Sequence, residues 1–192
     1  MNSYLKKLSG ITCTLITFTL VGFTAPVYAD EDRSLLDQDI HAAIARLKEE
    51  SPAAAELGKK AKGVLIFPNI TKAGFVVGAQ YGQGALIKPK QGGGYYIDEY
   101  FSITSASYGL QAGIQSYGYA MLLMSDSAVE YVETSRGWEL GSGPSIVVVD
   151  EGMAKSFTTE TIKDDVYAFT FGQEGLMAAM GLQGSKITRL DD

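Results

Sequence analysis

AKGVLIFPNITKAGFVVGAQYGQGALIKPK, from Ala61 to Lys90, decides the fold of this chain. Strand-forming residues there alternate with period two: Phe75, Val77, Ala79 and Tyr81 fall on one side, Gly74, Val76, Gly78 and Gln80 on the other. The alternation returns at Tyr108, Leu110, Ala112 and Ile114 against Gly109, Gln111, Gly113 and Gln115. These are strands with one glycine-and-glutamine face. The triplets Gly78-Ala79-Gln80, Gly113-Ile114-Gln115 and Gly181-Leu182-Gln183 echo one another, which hints at three strands in similar places. Glycine weakens a strand unless a bend or a close backbone approach requires it, so its repeated use predicts a strongly bent sheet or a barrel.

Upstream of this stretch, Leu36, Ile40, Ala43, Ile44 and Leu47 carry helical spacing and predict an amphipathic helix over Asp30 to Glu50. Ser51-Pro52 supplies an N-cap and a proline at the first helical position, so a second short helix runs from Pro52 to about Lys62. Downstream, Lys88-Pro89-Lys90 followed by Gln91 and three glycines predicts a turn. Ser125 to Ser135 reads as a capped helix with Ala128, Tyr131 and Val132 toward a core. Gly141 to Pro144 turns the chain into a strand over Ser145 to Val149, and Asp164 to Phe171 and Gly175 to Arg189 close the sheet. With no polar linker to divide it, the expectation is one α+β domain over residues 30–192. Its sheet is glycine-rich, mostly antiparallel and strongly bent or barrel-like, with N-terminal amphipathic helices.

Residues 1–29 read as a secretory signal peptide. Lys6 and Lys7 precede an apolar run from Leu8 to Phe23, and Val27-Tyr28-Ala29 places small residues for cleavage after Ala29. The run is shorter than the roughly 18 to 20 apolar residues of a spanning helix. The only cysteine, Cys13, lies inside the run and lacks a lipoprotein cleavage box, so the exported chain has no thiol and no disulfide. A periplasmic or secreted location follows, with peripheral membrane association. All 22 acidic residues lie after Ala29, whereas two of the 16 basic ones leave with the leader, so the exported chain is more acidic than the −6 of the whole. Bulk charge therefore argues against nucleic acid and against nonspecific adhesion to anionic surfaces.

The side chains that usually carry catalysis are sparse. His41 is the only histidine and sits among solvated residues, and with no second histidine or usable cysteine there is no metal or cofactor set. Gly141-Ser142-Gly143-Pro144-Ser145 lacks the spacing of a nucleophile elbow and has no histidine after it. Gly181 to Lys186 misses the phosphate-loop spacing, and Gly78 to Gly84 is followed by a strand where a dinucleotide site needs a helix. The carboxylates Asp164 with Asp165 and Glu130 with Glu133 read as solvated surface. Trp138 and the tyrosines Tyr95, Tyr96, Tyr100, Tyr117 and Tyr119 read first as core and cross-strand packing, with a membrane-interface belt as the alternative. The chain reads as a non-enzyme.

Lys59, Lys60, Lys62, Lys72, Lys88 and Lys90 remain, all in the N-terminal third of the exported chain. Ordinary solubilising lysines are one reading. The other is a patch against phosphate headgroups, with anionic phospholipid as the partner.

Taken together, AKGVLIFP, TKAGFVVG, GYAMLLM, GWELGSGPSIVVVD and GLQGSKITR resemble the bacterial branch of the SYLF-domain family. The resemblance covers nearly everything after the leader. It implies a lipid-binding module, since eukaryotic members engage phosphoinositides through an N-terminal amphipathic basic segment and some fungal members also bind actin filaments. By position, Lys59, Lys60 and Lys62 match that basic segment, although Glu49, Glu50 and Glu56 stand beside them here. Two functions follow as expectations: docking on an envelope membrane, or an envelope scaffold that binds protein or self-associates.

Overall fold

The computed structural model of the protein describes residues 30–74, 77–108, 113–135, 138–139, 143–149, 163–174 and 185–190. The leader, the Gly181 triplet, the turn at Gly141-Ser142 and most of the strand expected from Gly175 lie outside them. Three helices, α1 (Asp30–Glu50), α2 (Pro52–Gly58) and α3 (Asp126–Thr134), accompany eight strands among the described residues. These are β1 (Gly63–Gly74), β2 (Val77–Pro89), β3 (Tyr95–Tyr108), β4 (Gly113–Leu123), β5 (Trp138–Glu139), β6 (Ile146–Val148), β7 (Val166–Glu174) and β8 (Lys186–Arg189). They form one sheet in the order β5-β8-β3-β2-β1-β4-β7-β6, antiparallel throughout except for the parallel β6–β7 pair. The sheet curls strongly into a half-barrel, which makes the protein α+β with N-terminal helices.

Local chemistry explains the element ends. Ser51 caps α2, its Oγ accepting from the Ala54 N–H at 3.2 Å, and Pro52 opens the helix without losing a hydrogen bond. The helix stops at Gly58, earlier than the expected Lys62, because the Lys60 and Ala61 N–H groups both turn back to the Leu57 carbonyl and Lys62 joins the sheet through Leu123. Ser125 likewise caps α3 at Ala128 and also donates to Asp165 at 2.7 Å. Asp164 and Asp165 are therefore half-buried structural acceptors, not the solvated pair expected. Gly92, Gly93 and Gly94 all take positive φ in the β2–β3 turn.

The alternation from Gly74 to Tyr81 does not belong to one strand. β1 ends at Gly74 and β2 begins at Val77, with Gly74 paired to Gly78, so the pattern runs through a hairpin. β1 also slips register between Ile66 and Asn69, around Pro68, which has no N–H to give to the ladder.

The sheet buries both faces. Leu65, Phe67, Leu86, Phe101, Met121, Ala168 and Ile187 pack with α3 and Trp138 on one side. Ile66, Ile87, Leu122, Tyr167 and Phe169 pack with α1 and α2 on the other, where Ile40, Ile44 and Leu47 form the buried stripe of α1. Each such side chain contributes about 1.5–3 kcal/mol, so this stripe holds α1 firmly. Polar ties add to it: the Tyr100 hydroxyl donates to Asp37 Oδ1 at 2.8 Å and the Gly172 N–H donates to Glu50 Oε2 at 2.8 Å.

The glycine-and-glutamine side of β2 is the α3 side. A Cβ on Gly84 would come within 2.1 Å of the Ile66 carbonyl oxygen, and one on Gly118 within 2.3 Å of the Phe171 ring. These glycines serve close approach between neighbouring strands. Gln80 is buried, accepting from the Tyr117 hydroxyl at 3.0 Å and donating to Ser185 Oγ at 2.8 Å.

Candidate functional site

Antiparallel pairing decides where the lysines go. Val64 opposite Ile87 brings the start of β1 beside the end of β2, so Lys62 neighbours Lys88 and Lys90 although they are far apart in sequence. The tight turn after α2 adds Lys59 and Lys60 at the same end. Lys72 is not part of this group. It pairs with Gln80 and Gln115, eight residues further along β1 than Val64 and about 25 Å away at strand rise.

Lys88 has a different role again. Its ammonium lies 2.8 Å from Asp98 Oδ2 and also hydrogen-bonds Glu133, with all three side chains less than a third exposed. Partial burial pulls its pKa down, but the hydrogen bonds and charges of Asp98 and Glu133 outweigh this and the net shift is upward. Its charge is compensated internally and buttresses α3 against the sheet. Lys59 pairs with Glu56 at 2.5 Å, but both are well exposed, so that pair contributes little and opens readily. Lys62 stands 3.8 Å from Asp126. Lys60 and Lys90 are exposed and show no ion pair among the described residues.

Beside this basic end, α1, α2 and the sheet leave a cleft of about 380 Å³. Its walls are apolar: Ile44 and Leu47 from α1, Ala54 from α2, Val64 from β1, Ile87 from β2 and Leu122 from β4. The alanines and glycine of Pro52–Gly58 are too small to fill the space. Lys48, Lys59 and Lys88 contribute the cationic part of the lining. Neither Lys48 nor the cleft was expected from the sequence, although Lys48 directly follows Leu47, the last apolar residue of the α1 stripe.

His41 is exposed, its Nδ1 2.6 Å from the Asp37 carbonyl and its ring against Tyr95. Trp138 is buried with its ring edge-on to Tyr131 at 5.7 Å. Tyr117 and Tyr119 are core residues, and burial pushes the Tyr117 phenol up to about 12. Tyr96 is exposed. Among the described residues no group of three histidine, cysteine or carboxylate side chains is placed to hold a metal ion, and no helix is long and apolar enough to cross a membrane.

The described residues thus form a curled α+β half-barrel with N-terminal helices and a group of lysines at one end of the sheet. Residues 104–192 match the family model described as Ysc84, Las17-binding protein actin regulator, which is consistent with a SYLF-domain family protein. The matched segment runs from the second half of β3 to the C-terminus, so all six candidate lysines lie before it. No curated protein matches the chain.

Proposed function

We propose that this chain is an exported, non-enzymatic phospholipid-binding protein that docks on an envelope membrane through Lys59, Lys60, Lys62 and Lys90. The observation that carries the reading is the gathering of these lysines, from the α2–β1 turn and from the far-off end of β2, at one end of the sheet beside an apolar cleft. The SYLF family's association with lipid and actin binding supports it. Because the whole chain carries −6, attraction to an anionic surface has to be local, within a Debye length of about 10 Å at 0.1 M salt. Lysines near an anionic surface contribute about 1 kcal/mol each. Four of them alone correspond to a dissociation constant on the order of 1 mM, so an apolar contribution is also required.

Co-sedimentation with phosphatidylcholine vesicles of graded phosphatidylglycerol content tests the reading. Binding is expected to rise with phosphatidylglycerol, weaken with salt and fall in the Lys59, Lys60, Lys62 and Lys90 to Ala variant. Lack of binding at every composition would leave the envelope scaffold as the better reading. The exposed Tyr81 and Ile114, on the α1 side of the sheet, would then be the apolar surface to test for self-association. The mass of the protein recovered from cells tests cleavage after Ala29.

A further inference from the structure

We propose that the cleft between α1, α2 and the sheet takes one acyl chain of an anionic membrane phospholipid, with Lys48 and Lys59 beside its phosphate. The inference rests on the phospholipid-docking reading and names the atoms that make it more than a surface attraction. The walls present almost only hydrocarbon, from Ile44, Leu47, Val64, Ile66, Ile87 and Leu122, while charged groups enter the lining only through lysines. That distribution matches an amphiphile with an apolar tail and an anionic head. A neutral apolar molecule would leave the cations unused, and a free inorganic anion would leave the walls unused.

Size narrows the occupant. About 380 Å³ lies near the lower end of the roughly 300–1,000 Å³ of pockets that hold small molecules, which suits one chain and not a whole two-chain lipid. Two charges are open to a headgroup. Lys48, in the last turn of α1, is exposed and shows no ion pair among the described residues. Lys59 needs only to release the solvated Glu56. Lys88 is held by Asp98 and Glu133 and stays with them. The side of α2 toward the cleft is built from Ala54, Ala55 and Gly58, and a Cβ on Gly58 would meet nothing within 4 Å. Room at this helix therefore comes from small residues that larger ones can replace.

The experiment incubates the protein with phosphatidylcholine vesicles containing phosphatidylglycerol, releases it with salt, and weighs it by native mass spectrometry. A second arm supplies monomeric short-chain phosphatidylglycerol without vesicles, and a third supplies palmitate. A one-to-one phospholipid adduct is expected in the first two arms. Gly58→Phe, and separately Ala55→Phe, are expected to cut it at least tenfold and to weaken co-sedimentation without abolishing its dependence on phosphatidylglycerol and salt, while circular dichroism shows the fold kept. Co-sedimentation without an adduct, an adduct indifferent to both variants, or an adduct with palmitate alone would each overturn the proposal. An adduct from monomeric phospholipid in the absence of vesicle binding would uphold the cleft and refute docking.

Discussion

Lys88 lies 2.8 Å from Asp98, its neighbour on the adjoining strand, and the pair is closed from the other side by Glu133 of α3. A residue that reads in sequence as one more surface lysine thereby becomes the link between the β2–β3 hairpin and α3. Removing it leaves two partly buried carboxylates facing each other. Lys88→Ala is expected to cost about 1.5–3 kcal/mol, measured as a lower urea midpoint. Vesicle binding by the folded fraction is expected to stay near that of the parent, and a loss of binding without a loss of stability would show that Lys88 meets lipid after all.

Position in the sheet separates the other lysines. Lys60→Ala with Lys90→Ala is expected to weaken vesicle binding about thirtyfold, from about 1 kcal/mol for each residue. Lys72→Ala, on the far part of β1, is expected to change it by less than about twofold. Equal effects of the two would mean that the basic end is not the contact surface.

Glu50 ties the end of α1 to β7. The Gly172 N–H donates to its carboxylate, and Arg46 donates as well, at 2.7 Å, which together hold its pKa below the ordinary value of 4.5. A lowered folded-state pKa contributes stability above the unfolded value, and the contribution is lost as pH falls through the folded one. Urea midpoints of the parent and Glu50→Gln are therefore expected to differ most near neutral pH and to converge progressively as pH falls below the ordinary carboxylate value. A difference that grows toward acid would reverse the sign and refute the tie.

Close approach and open space are distinguishable at two glycines. Gly84→Ala pushes a methyl against the Ile66 backbone carbonyl at 2.1 Å, where no side chain can yield, so a loss of about 3 kcal/mol or more is expected. Gly58→Ala, at the end of α2 with nothing within 4 Å, is expected to be neutral or to stabilise by up to about 1 kcal/mol. Thermal unfolding of both variants checks the pair.

Gln80 joins three strands, linking Tyr117 of β4 to Ser185 beside β8. Gln80→Ala strands both partners in a buried site, and a loss of about 1–3 kcal/mol is expected in urea unfolding. The same burial raises the Tyr117 phenol to about 12. A raised folded-state pKa contributes stability that is full below the unfolded value near 10 and is lost as pH rises through about 12. Tyr117→Phe is therefore expected to lessen the fall in stability above pH 10.

Much of the architecture is legible in the amino-acid sequence. Helical spacing from Leu36 to Leu47, the Ser51-Pro52 cap, the triple-glycine turn and the Ser125 cap are local signals, set by backbone sterics and nearest-neighbour hydrogen bonds. The antiparallel pairing of β1 with β2 is not legible, because an unbroken alternation looks the same in one strand as across two paired ones. The early end of α2 is also hidden, since the pairing of Lys62 with Leu123, about sixty residues away, helps stop the helix.

The sequence by itself determined which residues prefer strand or helix, where bends are tolerated, and that histidine and cysteine chemistry is nearly absent, because these depend on composition and short-range geometry. Tertiary structure alone decided which of six similar lysines share a surface. Register carried Lys72 to the far part of β1, enclosed Lys88 between two carboxylates and left Lys60 and Lys90 exposed beside an apolar cleft. A side chain's charge is written in the chain, but its solvent and its partners come from residues tens of positions away.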